Sequence, residues 1–236
     1  MKKYFTTFLF FIAPALLSST HNFYIGASLT GCLLSGKRND SVTDTRPAEK
    51  TFADNKTANN RGAYGGVLAG YILRIKNFGI SPEFFYNYGK LKSTTNNNFI
   101  DNAGPVYTTF DITYKIANQA GAHLRLGYFL EDYFLYTLLG MNYQNFNFEA
   151  KAQQADGGVI RAYNYKSKTK NINALVFGFG AQKRITENYA IGLEYKFARF
   201  PTKNFTFSLN DPGGTELTSS FKYKLNSVAL KIMYMF

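Results

Sequence analysis

The chain has 236 residues, with 27 Lys and Arg against 15 Asp and Glu, a formal net charge of +12, one cysteine and no tryptophan. A lone cysteine excludes an intrachain disulfide and a thiolate metal cluster. The basic balance favours anionic partners such as lipopolysaccharide phosphates or sulfated glycans, since clustered cations concentrate polyanions.

Lys2 and Lys3 precede an apolar run from Phe8 to Leu17, too short to span a bilayer as a helix. With Ser18, Ser19 and Thr20 after it, residues 1–20 read as a secretory signal peptide, with cleavage near His21 or after Ala13-Pro14-Ala15. An exported chain excludes nucleic acid as the expected partner. Without Lys2 and Lys3 the balance is 25 cations against 15 anions, or +10. Beyond the signal no run of about 18 apolar residues occurs, so any membrane insertion has to use strands, and strands in hydrocarbon must close on themselves to satisfy their backbone groups. Leu29-Thr30-Gly31-Cys32 matches a loose lipoprotein acylation pattern, but polar residues separate it from the apolar run, and a buried strand cysteine is the competing reading.

Alternation predicts eight strands, at about 22–35, 61–75, 79–92, 112–129, 133–148, 170–185, 189–205 and 219–236. Lys76-Asn77-Phe78, Leu130-Glu131-Asp132 and Thr186-Glu187-Asn188 read as tight turns. Between them lie long polar segments, about 36–60, 93–111, 149–169 and 206–218, rich in Asn, Thr, Lys, Asp and Gly. Short turns alternating with long loops are the rhythm of an outer-membrane barrel, whose loops are extracellular and whose termini are periplasmic. Residues 21–236 are expected to form one all-β domain, an eight-stranded antiparallel up-and-down transmembrane barrel.

The period of two assigns the faces. Ile80, Pro82, Phe84, Tyr86 and Tyr88 should face lipid, as should Ala122, Leu124, Leu126 and Tyr128, then Tyr189, Ile191, Leu193, Tyr195 and Phe197, and finally Val228, Leu230, Ile232, Tyr234 and Phe236. Gly62, Gly65, Gly66, Gly70, Gly178 and Gly180 suit the narrow interior of a small barrel. The inward set then contains Glu83, His123, Arg125, Glu194, Lys196 and Lys231. Counted from the turns, Glu83 should meet Arg125, and Glu194 should lie near Lys231 with Lys196 one inward step above. Buried charges in so narrow a lumen need opposite partners. The network reads either as a salt-bridged core that fixes register or as a gate that re-pairs to admit ions. His123, without a second His or Cys at ligand spacing, reads as a hydrogen-bonding interior residue, and no metal site is expected.

Together, the signal segment, the eight strands, the interior Glu, Arg and Lys groups and the terminal Phe236 resemble the small bacterial outer-membrane β-barrel superfamily of the OmpA transmembrane domain, OmpX and opacity-type surface proteins. The resemblance implies outer-membrane residence, Phe236 as an assembly signal read by the barrel-assembly machinery, monomers, and binding carried by variable loops. In the third long segment Lys151, Arg161, Lys166, Lys168 and Lys170 interleave with Tyr163 and Tyr165, a candidate patch for host glycans, receptors or other acidic surfaces, against the alternative of a solvated loop. The role expected is structural, adhesive or antigenic. A narrow ion pore and a protein binding haem or another small ligand are the alternatives, and no resident cofactor is expected. Catalysis is not expected, because His123 is followed by Leu124-Arg125 without the His-x-Ser spacing of barrel deacylases, and no paired acids and His mark the outer strand ends as in omptin-like proteases.

Overall fold

A computed structural model of the chain describes residues 20–43, 51–100, 107–156, 159–164, 168–208 and 216–236. All regular structure there is strand: β1 (Thr20–Thr43), β2 (Thr51–Ile75), β3 (Phe78–Ile100), β4 (Tyr107–Leu130), β5 (Tyr133–Asp156), β6 (Val159–Asn164), β7 (Lys168–Arg184), β8 (Tyr189–Arg199), β9 (Lys203–Ser208) and β10 (Glu216–Met235). Every pairing is antiparallel, in the order β1-β2-β3-β4-β5-β7-β8-β10, and β10 pairs back onto β1, closing an eight-stranded barrel. The short β6 and β9 continue the lines of β7 and β8 toward the far end, pairing with β5 and β10. The seam is stitched to the last residue, where the Phe236 amide donates to the Phe23 carbonyl at 2.9 Å.

Two of the tight turns reverse in two residues, Lys76-Asn77 and Glu131-Asp132, and their first residues have φ of 55° and 53°. That left-handed geometry suits the right-handed twist of a hairpin. At the same end Asn188 closes the third turn by donating its side-chain amide to the Met235 carbonyl at 3.1 Å.

Near the short turns the outer wall is apolar. Tyr133, Leu135, Leu139, Met141 and Tyr143 of β5 and Val228, Leu230, Ile232, Tyr234 and Phe236 of β10 are exposed, and these runs have the length of about 9–11 residues needed to cross hydrocarbon as tilted strand. An aromatic girdle edges the band, with Tyr189 and Tyr234 at 5.3 Å and Phe78 and Tyr128 at 5.3 Å, both edge-to-face.

Farther from the turns the polarity inverts. Asn145, Asn147, Glu149 and Lys151 take the outward positions of β5, while Phe146 and Phe148 are buried inside; on β10, Lys222 and Lys224 are exposed while Phe221, Tyr223 and Leu225 are buried. The barrel therefore has two storeys. One is apolar outside and charged inside, and the other is polar outside with its own apolar core.

This architecture corrects the boundaries expected for the long segments. Much of 36–60, 93–111 and 149–169 is paired strand: β1 runs to Thr43, β2 resumes at Thr51, β3 and β4 extend to Ile100 and from Tyr107, and β5 reaches Asp156. Their polar outer faces hid a sheet that continues above the apolar band. The strand expected at 189–205 instead breaks after Arg199, because Pro201 has no ladder donor and pairing resumes only at Lys203. Pro82 acts likewise: β2–β3 pairing is interrupted between Gly70↔Glu83 and Leu73↔Ile80, although its partner Leu124 on β4 is kept. Gly65, expected inside, faces outward with nothing within 4 Å of a Cβ placed there. Cys32 lies mid-strand, facing in, its thiol donating to the Gly62 carbonyl at 3.3 Å. The expected signal peptide lies outside the described residues except Thr20, where β1 begins.

Candidate functional site

Inside the membrane-level storey, strands from opposite walls deliver charges to one point. Arg125 on β4 forms an ion pair with Glu83 on the adjacent β3. Lys231 on β10 reaches across the lumen and bridges two carboxylates, donating at 2.7 Å to Glu83 Oε1 and at 2.7 Å to Glu194 Oε2. Lys196, one inward step above Glu194 on β8, stands 3.2 Å from Glu194 Oε1. Three cations and two anions are thus buried together, none more than 6% exposed.

Tyrosines complete the shell. Arg125 Nη2 donates to the Tyr24 hydroxyl at 2.8 Å, and that hydroxyl donates to Glu83 Oε2 at 3.3 Å. The Tyr136 hydroxyl donates to Glu194 Oε2 at 3.0 Å, with its ring centroid 5.0 Å from the Arg125 guanidinium carbon. Glycine makes room for both phenols. A Cβ on Gly180 would lie 2.7 Å from the end of the Tyr136 ring, and one on Gly70 would strike the Tyr24 hydroxyl. Such crowding explains why glycine occupies two inward positions of otherwise ordinary strands.

His123 is opposite Glu83 in the ladder, buried, with Nε2 3.2 Å from Asn142 Oδ1 and its ring 4.6 Å from that of Phe85. One ligand atom each from Glu83, His123 and Glu194 lies within 4.8 Å of the others. The Lys231 ammonium already bridges those two carboxylates. Three cations beside such a group oppose a metal ion electrostatically.

The upper storey has an apolar plug that the sequence reading missed. Tyr114, Phe146, Phe148, Phe200, Phe205, Phe221 and Tyr223 fill the lumen with Leu34, Leu91 and Ile116. Phe148 and Phe205 have centroids 3.7 Å apart, Phe148 and Phe221 5.0 Å, and Tyr114 and Tyr223 5.3 Å. The available signal was a change of phase along strands such as β5 and β10, with apolar residues moving from one parity to the other.

The residues proposed for the surface patch fall on β5 and on the two strands that pair with it, β6 and β7, or outside the described residues. Lys151 is exposed and sits opposite Asp111 in the ladder. Arg161 and Tyr163 belong to β6, while Lys168 and Lys170 occupy β7 positions opposite Phe148 and Phe146. Tyr165 and Lys166 lie outside the described residues.

A closed antiparallel barrel with an apolar outer band, a charged lumen and reversal of polarity above the band defines a small outer-membrane β-barrel protein. No helix among the described residues is long and apolar enough to cross a membrane. Neither a protein-family model nor a curated protein matches the chain. Among solved structures it is similar to the outer membrane protein OprG of Pseudomonas aeruginosa, with 14% identity over 92% of this chain and 97% of that one at a TM-score of 0.47. It is also similar to the outer membrane protease OmpT of Escherichia coli, with 14% identity over 91% and 97% at 0.40. A third is the attachment invasion locus protein of Yersinia pestis, solved in complex with the heparin analogue sucrose octasulfate, with 18% identity over 89% and 99% at 0.32.

Proposed function

We propose that the protein is a non-conducting surface barrel that raises its hairpin tips above the outer membrane to contact acidic surfaces, including sulfated glycans. The carrying observation is the upper storey. β5 has 24 residues, which at about 3.3 Å each and a tilt of about 40° rise roughly 60 Å, against an apolar band of about 25 Å. A polar-walled stem with an aromatic core therefore stands about 30 Å clear of the bilayer, the build of a presenting scaffold. The basic balance of the exported chain supplies the preference for anions.

The two filled layers disfavour the pore alternative, since ions would have to part both the charge network and the aromatic plug. Buried His123 does not offer an exposed ligand for haem. No catalytic role is assigned to the network, and Phe236 serves as the assembly signal at the seam.

The test uses the chain refolded into phospholipid vesicles, with binding to immobilised sulfated glycan measured against salt. Expected are saturable binding that weakens with ionic strength, loss on replacing Lys151, Lys166, Lys168 and Lys170 by Gln, and no conductance steps in planar bilayers. Salt-insensitive binding, or steady conductance steps altered by Glu83→Gln, would overturn this function.

A further inference from the structure

From the outer wall rather than the lumen or the hairpin tips, we infer a binding site for the phosphorylated headgroup of an outer-leaflet glycolipid, formed by Lys37, Arg199, Lys222 and Lys224. These residues, with Ser35 and Thr57, line a groove of about 410 Å³ across β8, β10, β1 and β2. All four cations are exposed, on the outward face.

The register makes the arrangement costly by itself. Lys37 is directly opposite Lys222, and Lys224 is directly opposite Arg199. Like charges facing each other across a ladder destabilise a sheet. Here two such pairs adjoin, joined by the two-residue step from Lys222 to Lys224. Relief from neighbouring carboxylates is missing: besides Ser35 and Thr57, the described outward positions around them are Leu33, Asn39, Asn59, Arg61, Leu175, Phe197, Ser220 and Asn226, with no acid. On β4 Lys115 also faces a lysine, Lys92, across the ladder, but there Glu149 meets it at 2.7 Å. A bound external anion would offset the repulsion.

Height selects the anion's source. Arg199 is two residues beyond Phe197, Lys37 four beyond Leu33, and Lys224 four before Val228, where the apolar band ends. At about 3.3 Å per residue and a tilt of about 40°, Arg199 sits roughly 5 Å, Lys37 and Lys224 roughly 10 Å, and Lys222, six residues before Val228, roughly 15 Å above the hydrocarbon. Arg199 thus lies within the headgroup layer, about 5–8 Å thick, and the lysines stand at and above its outer edge, with long stems that can lean down toward it. A lipid whose chains lie on Val228, Leu193 and Leu33 places its phosphate among the four cations. Several charge-assisted hydrogen bonds to phosphate are then available at once.

The inference is independent of what the hairpin tips bind. Its test measures the thermal midpoint of the full chain folded in neutral detergent, followed by gel mobility, with bisphosphorylated lipid A, its dephosphorylated form or inorganic phosphate added. The bisphosphorylated lipid is expected to raise the midpoint, and the other two to leave it unchanged. Lys222→Gln should raise the midpoint without lipid, because it removes a like-charge pair, and should weaken the apparent lipid affinity about tenfold. Opposite signs in one folded variant distinguish a binding site from a packing effect. Lys37→Gln with Lys224→Gln should abolish the lipid response. Equal protection by the dephosphorylated lipid or by inorganic phosphate, or an unchanged response in the variants, would overturn the assignment.

Discussion

Replacing Glu194 by Gln tests whether the lumen charges act as one balanced unit. Glu194 accepts from Lys231 at 2.7 Å and from Tyr136 at 3.0 Å, and lies 3.2 Å from Lys196. The variant keeps the shape but leaves three cations facing only Glu83. Lys196 then loses its carboxylate while held under the wall at 6% exposure, 4.9 Å from the Phe85 ring centroid. Removing one partner from a buried ion cluster costs about 3–5 kcal/mol, a change on the order of 10²–10⁴ in the unfolding equilibrium. Adding Lys196→Met removes the orphaned charge and keeps the stem against Phe85, so the double variant should recover at least about 1.5 kcal/mol. The chain has no tryptophan, so urea unfolding in detergent micelles is followed by circular dichroism and gel mobility. A double variant no more stable than Glu194→Gln would refute the balance argument, and a single variant within about 0.5 kcal/mol of the parent would show that the network is not dry enough for its pairing to count.

Gly180→Ala should destabilise by about 1–3 kcal/mol through displacement of Tyr136, whereas Gly65→Ala, with open space around it, should stay within about 0.5 kcal/mol in the same unfolding assay. Lys76→Gly, at a φ of 55°, should stabilise by roughly 1 kcal/mol; a loss of stability would mean that the turn geometry is misassigned. Phe148→Ala empties the centre of the aromatic plug at a cost of about 3–5 kcal/mol, and limited proteolysis from outside should then reach β5 and β6 while the membrane-level strands stay protected. Spin labels placed at outward positions of β10 in a Cys32→Ser background should report lipid contact at Leu230 and aqueous contact at Thr218, with the change falling between Lys224 and Val228; lipid contact at Lys222 would move the boundary and remove the basis for two storeys.

The barrel was readable from the sequence because the apolar band obeys a strict period of two in β3, β4, β8 and β10 and the turns interrupt it at regular intervals. The neighbour pairs inside were readable for the same reason: Glu83 and Arg125 lie on strands joined in sequence, so counting from their turns fixes their relative height. The cross-lumen contact of Lys231 with Glu83 was not, because it depends on how the closed sheet is staggered between β10 and β3, which no single hairpin encodes.

The upper storey stayed hidden for a different physical reason. Above the bilayer the outward face turns to Asn, Lys and Thr, and a strand with one polar face and short apolar runs looks like loop when the lipid-facing face is the pattern sought. On β10 the apolar parity is even from Val228 to Phe236 and odd from Phe221 to Leu225, while the inward face remains odd throughout. The backbone does not change phase there; the solvent does. The flip places the membrane surface near Asn226 and Ser227, within two steps of Lys224. On β3 and β4 the ladder shifts register at the same transition, between Tyr88 and Leu91 and between Ile116 and Gln119; there the inward face of β4 passes from odd positions, as at Gln119 and His123, to even ones at Ile116 and Tyr114, while that of β3 stays odd. The coincidence of phase flip, register shift and uncompensated cations at one height gives the outer wall a chemical address that neither the apolar band nor the hairpin tips has alone.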